Sequence, residues 1–423
     1  MSNQVPEGWQ FSKVSKLFSF QKGNISPSAF ADEIFNYYSL PAFDEFGDSI
    51  TVRGSEIDSN KTLLNQPTIL VSKLNPRKPR VMIADNRSNL RSCASTEFMA
   101  YVAKSAKQHL PFYKQYFESE SFHRKLEVVA TGSTNSHVRV SPKETMQWEI
   151  AFPPLPEQQK IAKILTSVDE VIEKTQAQID KLKDLKTGMM QELLTQGVGV
   201  DGKPHTEFKD SPVGRIPKAW KVVKLSQVLV KIDSGWSPAC IETPPATGQW
   251  GVIKVSAVTR GCFLETESKT LPENLAPKPH IQVQQGDLLL TRANGVADLV
   301  GKCVMVNDRP KANLMMSDKI LRLNPRESVC PFYLLHYFNS KVIRKQIELS
   351  WGGSSGQKNI SQTDIKSYLI ALPSLDEQKA IGSSITHVDK LLVLKEAKLI
   401  KLNAHKKALM QDLLTGKVRV NID

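Results

Sequence analysis

LPEQQKIAKILTSVDEVIEK at residues 155–174 and LDEQKAIGSSITHVDKLLVL at residues 375–394 are two copies of one pattern. In each, apolar residues recur alternately four and three positions apart, which lines them along one seam of a helix built to pack on another helix. The first seam runs through Ile161, Leu165, Val168, Ile172, Ile179, Leu182, Met189 and Leu193, with Thr175 and Lys186 filling the gaps. The second runs through Ile381, Ile385, Val388, Leu392, Leu399, Leu402, Leu409 and Leu413, with Lys395 and Lys406 in the gaps. The ends are marked as well. Ser374 followed by Glu377 has the spacing of a capping box, Pro153, Pro154 and Pro156 set the start of the first helix, and Gly197 and Gly416 stand where C-terminal caps belong.

Outward from these helices the duplication continues. Gly132 to Val200 aligns with Gly352 to Val420 without a gap, at a spacing of 220. PFYKQYF from Pro111 meets PFYLLHY from Pro331, ILVSK ending at Lys73 meets LLLTR ending at Arg292, and VPEGWQFSKVSKL from Val5 meets IPKAWKVVKLSQV from Ile216. The last match has a spacing of 211, so the second globular part carries a net nine extra residues. Helices of constant length between domains of drifting length suit a fixed distance and a variable content.

The expected architecture is α+β, with two mixed α/β recognition domains joined by two long antiparallel coiled-coil helices in a pseudo-two-fold arrangement. The first helix delivers the chain to the second domain, and the second helix returns it. The segments are a first domain at 1–153, a helix at 154–196, a linker at 197–214, a second domain at 215–373, a helix at 374–416 and a tail at 417–423. Helices of this size span about 50 to 60 Å at a rise of 1.5 Å per residue. TILVSK, VMIAD, VVKLSQVLV, WGVIKVSAV, GDLLLTR and CVMVN read as strands, and PFYLLHYFNSKVIRKQI as helix. Trp9 and Trp220, each shortly after a proline, read as core anchors.

The chain carries a net charge of +13 over 423 residues and a pI near 9.3, a field that favours polyanionic partners, nucleic acid first. No apolar run is long enough for a membrane span, and the basic amphipathic helix of a membrane-surface protein is missing, so a cytoplasmic protein is expected. Five scattered cysteines without a CxxC pair, and eight dispersed histidines, offer no disulfide framework and no metal site. Phosphate-cradling, metalloprotease and nucleophile-elbow motifs are absent, as is the Asn-Pro-Pro-aromatic tetrapeptide of adenine methylation: FPPL at Phe152 and TPPA at Thr243 lack both the Asn and the aromatic. The expectation is a non-catalytic chain whose chemistry lies in its partners.

Two loops in each copy carry residue types suited to DNA. Lys73, Asn75, Arg77, Lys78, Arg80, Arg87 and Arg91 form one basic, Pro-interrupted stretch, matched in the second copy by Arg292 and Asn294 with Lys254, Arg260 and Lys302. GSTNSHVRVS from Gly132 and GGSSGQKNIS from Gly352 supply Asn135, His137 and Arg139, and Gln357, Lys358 and Asn359. Lys and Arg neutralise phosphates, while Arg and Asn can also pair in bidentate fashion with guanine and adenine edges. The difference between the copies predicts two different half-sites.

The motifs IPKAWKVVKL, GDLLLTR, PLPEQQKIA with its helix ending MMQELLTQG, FKDSPVGRIP and LMQDLLTGKVRV together resemble the DNA-specificity subunit of type I restriction-modification enzymes. The resemblance covers essentially the whole chain; it departs at TILVSKLNP, where that family more often has an acidic GD-type start. It implies two target recognition domains, each reading half of a bipartite double-stranded DNA site, in a prokaryotic cytoplasm. It also implies two docked methyltransferase subunits, with restriction subunits joining through the complex. No cofactor is then expected in this chain; S-adenosylmethionine, ATP and Mg²⁺ would serve the partners. A stand-alone DNA-binding protein without enzyme partners is the alternative, and copurification separates the two.

Overall fold

The computed structural model describes residues 6–85, 89–132, 138–199, 203–351 and 358–422, which form an α+β chain in two compact units. One unit consists of residues 1–176 and 397–423, the other of residues 177–396. Each long helix is a continuous element, Leu155–Gln196 and Leu375–Leu413, and each is divided between the units. Every unit therefore contains one half of each helix.

Within each unit these halves run antiparallel. Lys406 lies 2.6 Å from Asp169 in the first unit, and Lys186 lies 2.6 Å from Asp389 in the second. The two lysines fill equivalent seam gaps, and the two aspartates are equivalent positions of the repeat. A charge at a seam position specifies register at some cost in stability; here each copy's lysine meets the other copy's aspartate. Every seam residue is buried or half-buried, and Ile161 and Leu165 pack with Leu409 and Leu413 in the core of the first unit.

The paired residues at the helix starts explain why Glu-Gln recurs. Gln158 donates to the Pro153 carbonyl (2.9 Å) and accepts the His109 amide (3.0 Å); Gln378 repeats this with Pro373 (3.0 Å) and Cys330 (2.9 Å). Each glutamine thus ties its helix to the start of the Pro-Phe-Tyr helix, Leu110–Glu118 or Pro331–Phe338. Glu157 is fully buried and accepts the Trp9 indole N–H (3.2 Å) and two donors of Arg419 (2.8 and 2.9 Å). Glu377 is 2% exposed and accepts the Trp220 indole N–H (2.9 Å), the amides of Val198 and Gly199 (3.0 and 2.9 Å) and His205 Nε2 (2.8 Å). Each buried carboxylate therefore holds its domain's tryptophan and the segment leaving the opposite helix. This corrects the capping-box reading: Ser374 Oγ accepts the Glu377 amide, while the Glu377 side chain is drawn into the Trp220 cluster.

Both units share one framework. The pair Gln10–Lys13 with Glu149–Phe152 corresponds to Lys221–Lys224 with Leu369–Leu372. A four-stranded sheet in the order Phe18–Phe20, Phe98–Ala103, Thr68–Ser72, Val81–Ala84 corresponds to Leu229–Ser234, Ile320–Pro325, Leu288–Thr291, Cys303–Met305. VVKLSQVLV is not one strand, because a helical turn at Leu225–Val228 buries Leu225 and Val228 and redirects the chain between two sheets.

The copies diverge in what is inserted into this framework. The first unit adds a five-stranded sheet built from residues 24–64 and 91–94, the second a three-stranded sheet from residues 250–270 and 313–315. The spacing between copies grows from 211 at the opening segment to 219 at Ser72 and Thr291, so eight of the nine additional residues lie before that strand, where the insert begins. The missing GD start is also a matter of scaffold. Asp287 accepts the buried Arg322 guanidinium at 2.9 Å, and in the first copy strand register puts Thr68 and Ala100 at those two places. The first copy lacks acid and base together.

Candidate nucleic-acid interface

Strand ladders bring the two basic loops of each domain side by side. In the first unit the Asn75 amide donates to the Val138 carbonyl (2.9 Å) and the Val140 amide donates to the Lys73 carbonyl (2.9 Å). In the second, Ala293 and Asn294 pair with Asn359 and Lys358, and the Ile360 amide donates to the Arg292 carbonyl (2.9 Å). Lys73, Asn75 and Arg139 thus share an edge, as do Arg292, Asn294, Lys358 and Asn359. Asn75 has φ +49°, a left-handed conformation that asparagine tolerates better than most residues, and this turns the chain out of the strand.

A third segment completes each edge, and it was missed in the sequence. The Lys73 amide donates to the Glu97 carbonyl (3.0 Å), and the Arg292 amide donates to the Lys319 carbonyl (2.9 Å). Glu97 and Lys319 follow equivalent turns, in which Phe98 and Ile320 amides donate to Ser95 and Ser317 carbonyls. The shared pattern Ser-x-charged-apolar, STEF against SDKI, is the signal that could have exposed them. Their charges are opposite. Glu97 accepts two hydrogen bonds from Arg139, from Nε and Nη2, both at 3.1 Å. Among the described residues neither Arg292 nor Lys319 has an ion-pair partner. The edge of the second unit is therefore the more cationic.

The other candidates scatter. Arg80 is 9% exposed, and its Nε and Nη2 reach Asp44 at 2.7 and 2.8 Å. Those bonds, aided by Lys78 at 2.9 Å, hold the Asp44 carboxyl well below the usual carboxylate range. Burial removes Arg80 from any surface role, so the basic stretch is not one solvated face. Arg77 is exposed on the same turn, whose Pro76 carbonyl accepts His123 Nδ1 at 3.1 Å. Arg91, Lys254 and Arg260 stand on the inserts and pair with Glu33 (2.8 Å), Glu242 (3.6 Å) and Glu267 (3.7 Å). Lys302 lies beside the edge, its carbonyl accepting the Thr291 amide. Arg87, Asn135, His137 and Gln357 fall outside the described residues. Among the described residues no group of His, Cys, Asp and Glu is arranged to hold a metal ion, and no helix is long and apolar enough to cross a membrane.

Comparison with known proteins finds one family profile twice in this chain. A family profile described as type I restriction modification DNA specificity domain matches residues 6–184 and again 217–404. The type I restriction enzyme MjaVIII specificity subunit of Methanocaldococcus jannaschii is 28% identical across 99% of this chain and 94% of its own length. The EcoKI specificity subunit of Escherichia coli K12 is 24% identical across 90% and 82%. Among solved structures, the S subunit of a type I system from M. genitalium has a TM-score of 0.60 at 14% identity, over 98% of this chain and 97% of that one. A chain from a study of complex assembly and conformational transition in a type I system has a TM-score of 0.54 at 18% identity, over 99% and 100%.

Proposed function

The chain belongs to the family of type I restriction-modification DNA specificity subunits, and from that premise we propose that each of its units reads one half of a bipartite, asymmetric DNA site. The observation that carries this reading is the repeated edge. Equivalent hydrogen bonds build the same three-segment rim in both units, yet the side chains on it differ: Lys73, Glu97 and Arg139 in one, Arg292, Lys319 and Asn359 in the other. One framework with two side-chain sets suits two unlike half-sites.

The proposal extends to assembly. The long helices set the length of the unread spacer and dock two methyltransferase subunits, through which restriction subunits join. S-adenosylmethionine, ATP and Mg²⁺ belong to those partners, and this chain contributes sequence choice without catalysis, in the cytoplasm. Coexpression with the methyltransferase subunit of the same system, followed by genome-wide mapping of methylated adenines, tests the reading. The expected result is a gapped motif with two different halves. A continuous motif, or methylation that does not require this chain, would overturn it.

A further inference from the structure

Arg139 and Arg80 make the same kind of ion pair and end in opposite situations. Both guanidinium groups bind a carboxylate side-on, through Nε and Nη2. The Arg80 side chain is 10% exposed, and its Nη1 is buried without a hydrogen-bond partner among the described residues. The Arg139 side chain is 47% exposed and stands on the rim. A side-on pair uses Nε–H and one Nη2–H, which leaves the end-on edge, Nη1 and the second Nη2–H, for another acceptor. We infer that Arg139 reads a guanine in the half-site of the first unit through this end-on edge, with Glu97 as the residue that positions it. The inference rests on the DNA-reading role proposed above.

Two physical points favour a base over a phosphate. First, the Glu97–Arg139 pair is neutral in sum, and an approaching phosphate meets the carboxylate as well as the guanidinium. A neutral acceptor pair such as guanine O6 and N7 takes the two remaining donors without that repulsion. Second, the carboxylate fixes the guanidinium plane, so less side-chain freedom is lost on contact than for an unrestrained arginine. The second unit has exchanged both partners. Lys319 stands at the place of Glu97 and Asn359 at the place of Arg139, so the cation sits where the acid was and an amide occupies the reading position. Guanine reading by this device therefore belongs to one half-site only.

The test uses the full chain in complex with its methyltransferase partner and duplexes carrying the mapped site. Each guanine is replaced singly by 7-deazaguanine, which removes the N7 acceptor. The wild-type complex is expected to lose about tenfold in affinity at one guanine of one half-site, and Arg139→Ala, which leaves no donor for N7, is expected to lose nothing further there. Glu97→Ala separates positioning from simple structural support. It should lower discrimination at that guanine while raising affinity for unrelated duplex, with a steeper salt dependence by about one phosphate, because the guanidinium becomes available to the backbone. If no guanine couples to Arg139, or if Glu97→Ala weakens all duplexes alike, the inference is overturned. The wild-type scan needs no variant to fold. A continuous site would overturn the functional reading itself, whereas a gapped site without an Arg139-coupled guanine overturns this inference alone.

Discussion

Replacing Glu377 by alanine exposes the energetics of the cluster that joins the second domain to its helices. The carboxylate accepts four donors, and two of them have nowhere else to turn: the indole N–H of Trp220, a residue 1% exposed, and the buried Gly199 amide. A buried donor left without an acceptor costs about 1 to 3 kcal/mol, so two such donors put the loss at about 4 kcal/mol. The Val198 amide and His205 are only partly buried and can turn to water, so they add little. For a unit of this size each kcal/mol lowers Tm by about 2 to 4 °C, which gives about 8 to 16 °C for the second unit. Differential scanning calorimetry reads the shift directly. Trp220→Phe in the Glu377→Ala background removes an orphaned donor, so the double variant should cost less than the sum of the single ones by about 1 to 2 kcal/mol. Glu157→Ala is the control. Its largest partner, Arg419, is 43% exposed and can rehydrate, so its loss should be nearer 2 kcal/mol. A Glu377→Ala loss below that of Glu157→Ala, or strict additivity with Trp220→Phe, would refute the reasoning.

Gly416→Ala forces a side chain into a left-handed residue, φ +69°, with its Cβ 2.5 Å from Pro6 Cγ and 3.1 Å from Trp9 Cε2; urea unfolding of the first unit should show a loss of about 2 kcal/mol or more. His336 is buried, which pushes its pKa down to about 4, so the unfolded imidazole takes up a proton that the folded one refuses. Stability of the second unit should fall as pH drops from about 6.5 towards 4, by at most about 1.4 kcal/mol per pH unit for one proton, and His336→Gln should remove that slope in pH-dependent unfolding. Inserting four residues into each long helix adds about 6 Å and should lengthen the unread spacer of the methylated motif by about one or two base pairs at 3.4 Å each; an unchanged spacer refutes the proposal that the helices set its length. Arg292→Ala should alter the methylated motif in one half only, and a uniform loss at every sequence would reassign Arg292 to a phosphate.

Local signals were legible and non-local ones were not. The seams, the glycine caps and the loops carrying Lys73, Arg139, Arg292 and Asn359 are encoded in windows of a few residues, where periodicity and composition act directly. Strand order is different. Phe98–Ala103 lies between Phe18–Phe20 and Thr68–Ser72, a pairing decided by packing among distant segments. Arg80 reads in sequence as one more member of a DNA-suited basic stretch because its partner Asp44 lies well upstream, so neither residue marks the other in sequence. The Ser374–Glu377 spacing did give the helix its start, but Trp220 and the exit of the other helix offered the glutamate a drier and richer set of donors. Glu97 and Lys319 stayed hidden because the inserts shift the register between copies just before them, and because opposite charges mask equivalent positions.

The division of each helix between two units has a consequence for synthesis. The second unit is one unbroken stretch, residues 177–396, and can close as soon as it has left the ribosome. The first unit begins the chain but is finished by residues 397–423, whose Leu409, Leu413 and Arg419 reach the core around Ile161, Leu165 and Glu157. At about 5 to 20 residues per second, its exposed apolar seam waits for tens of seconds or less while the rest is made. The domain that is translated first is completed last, and quality control has that interval in which to act on it.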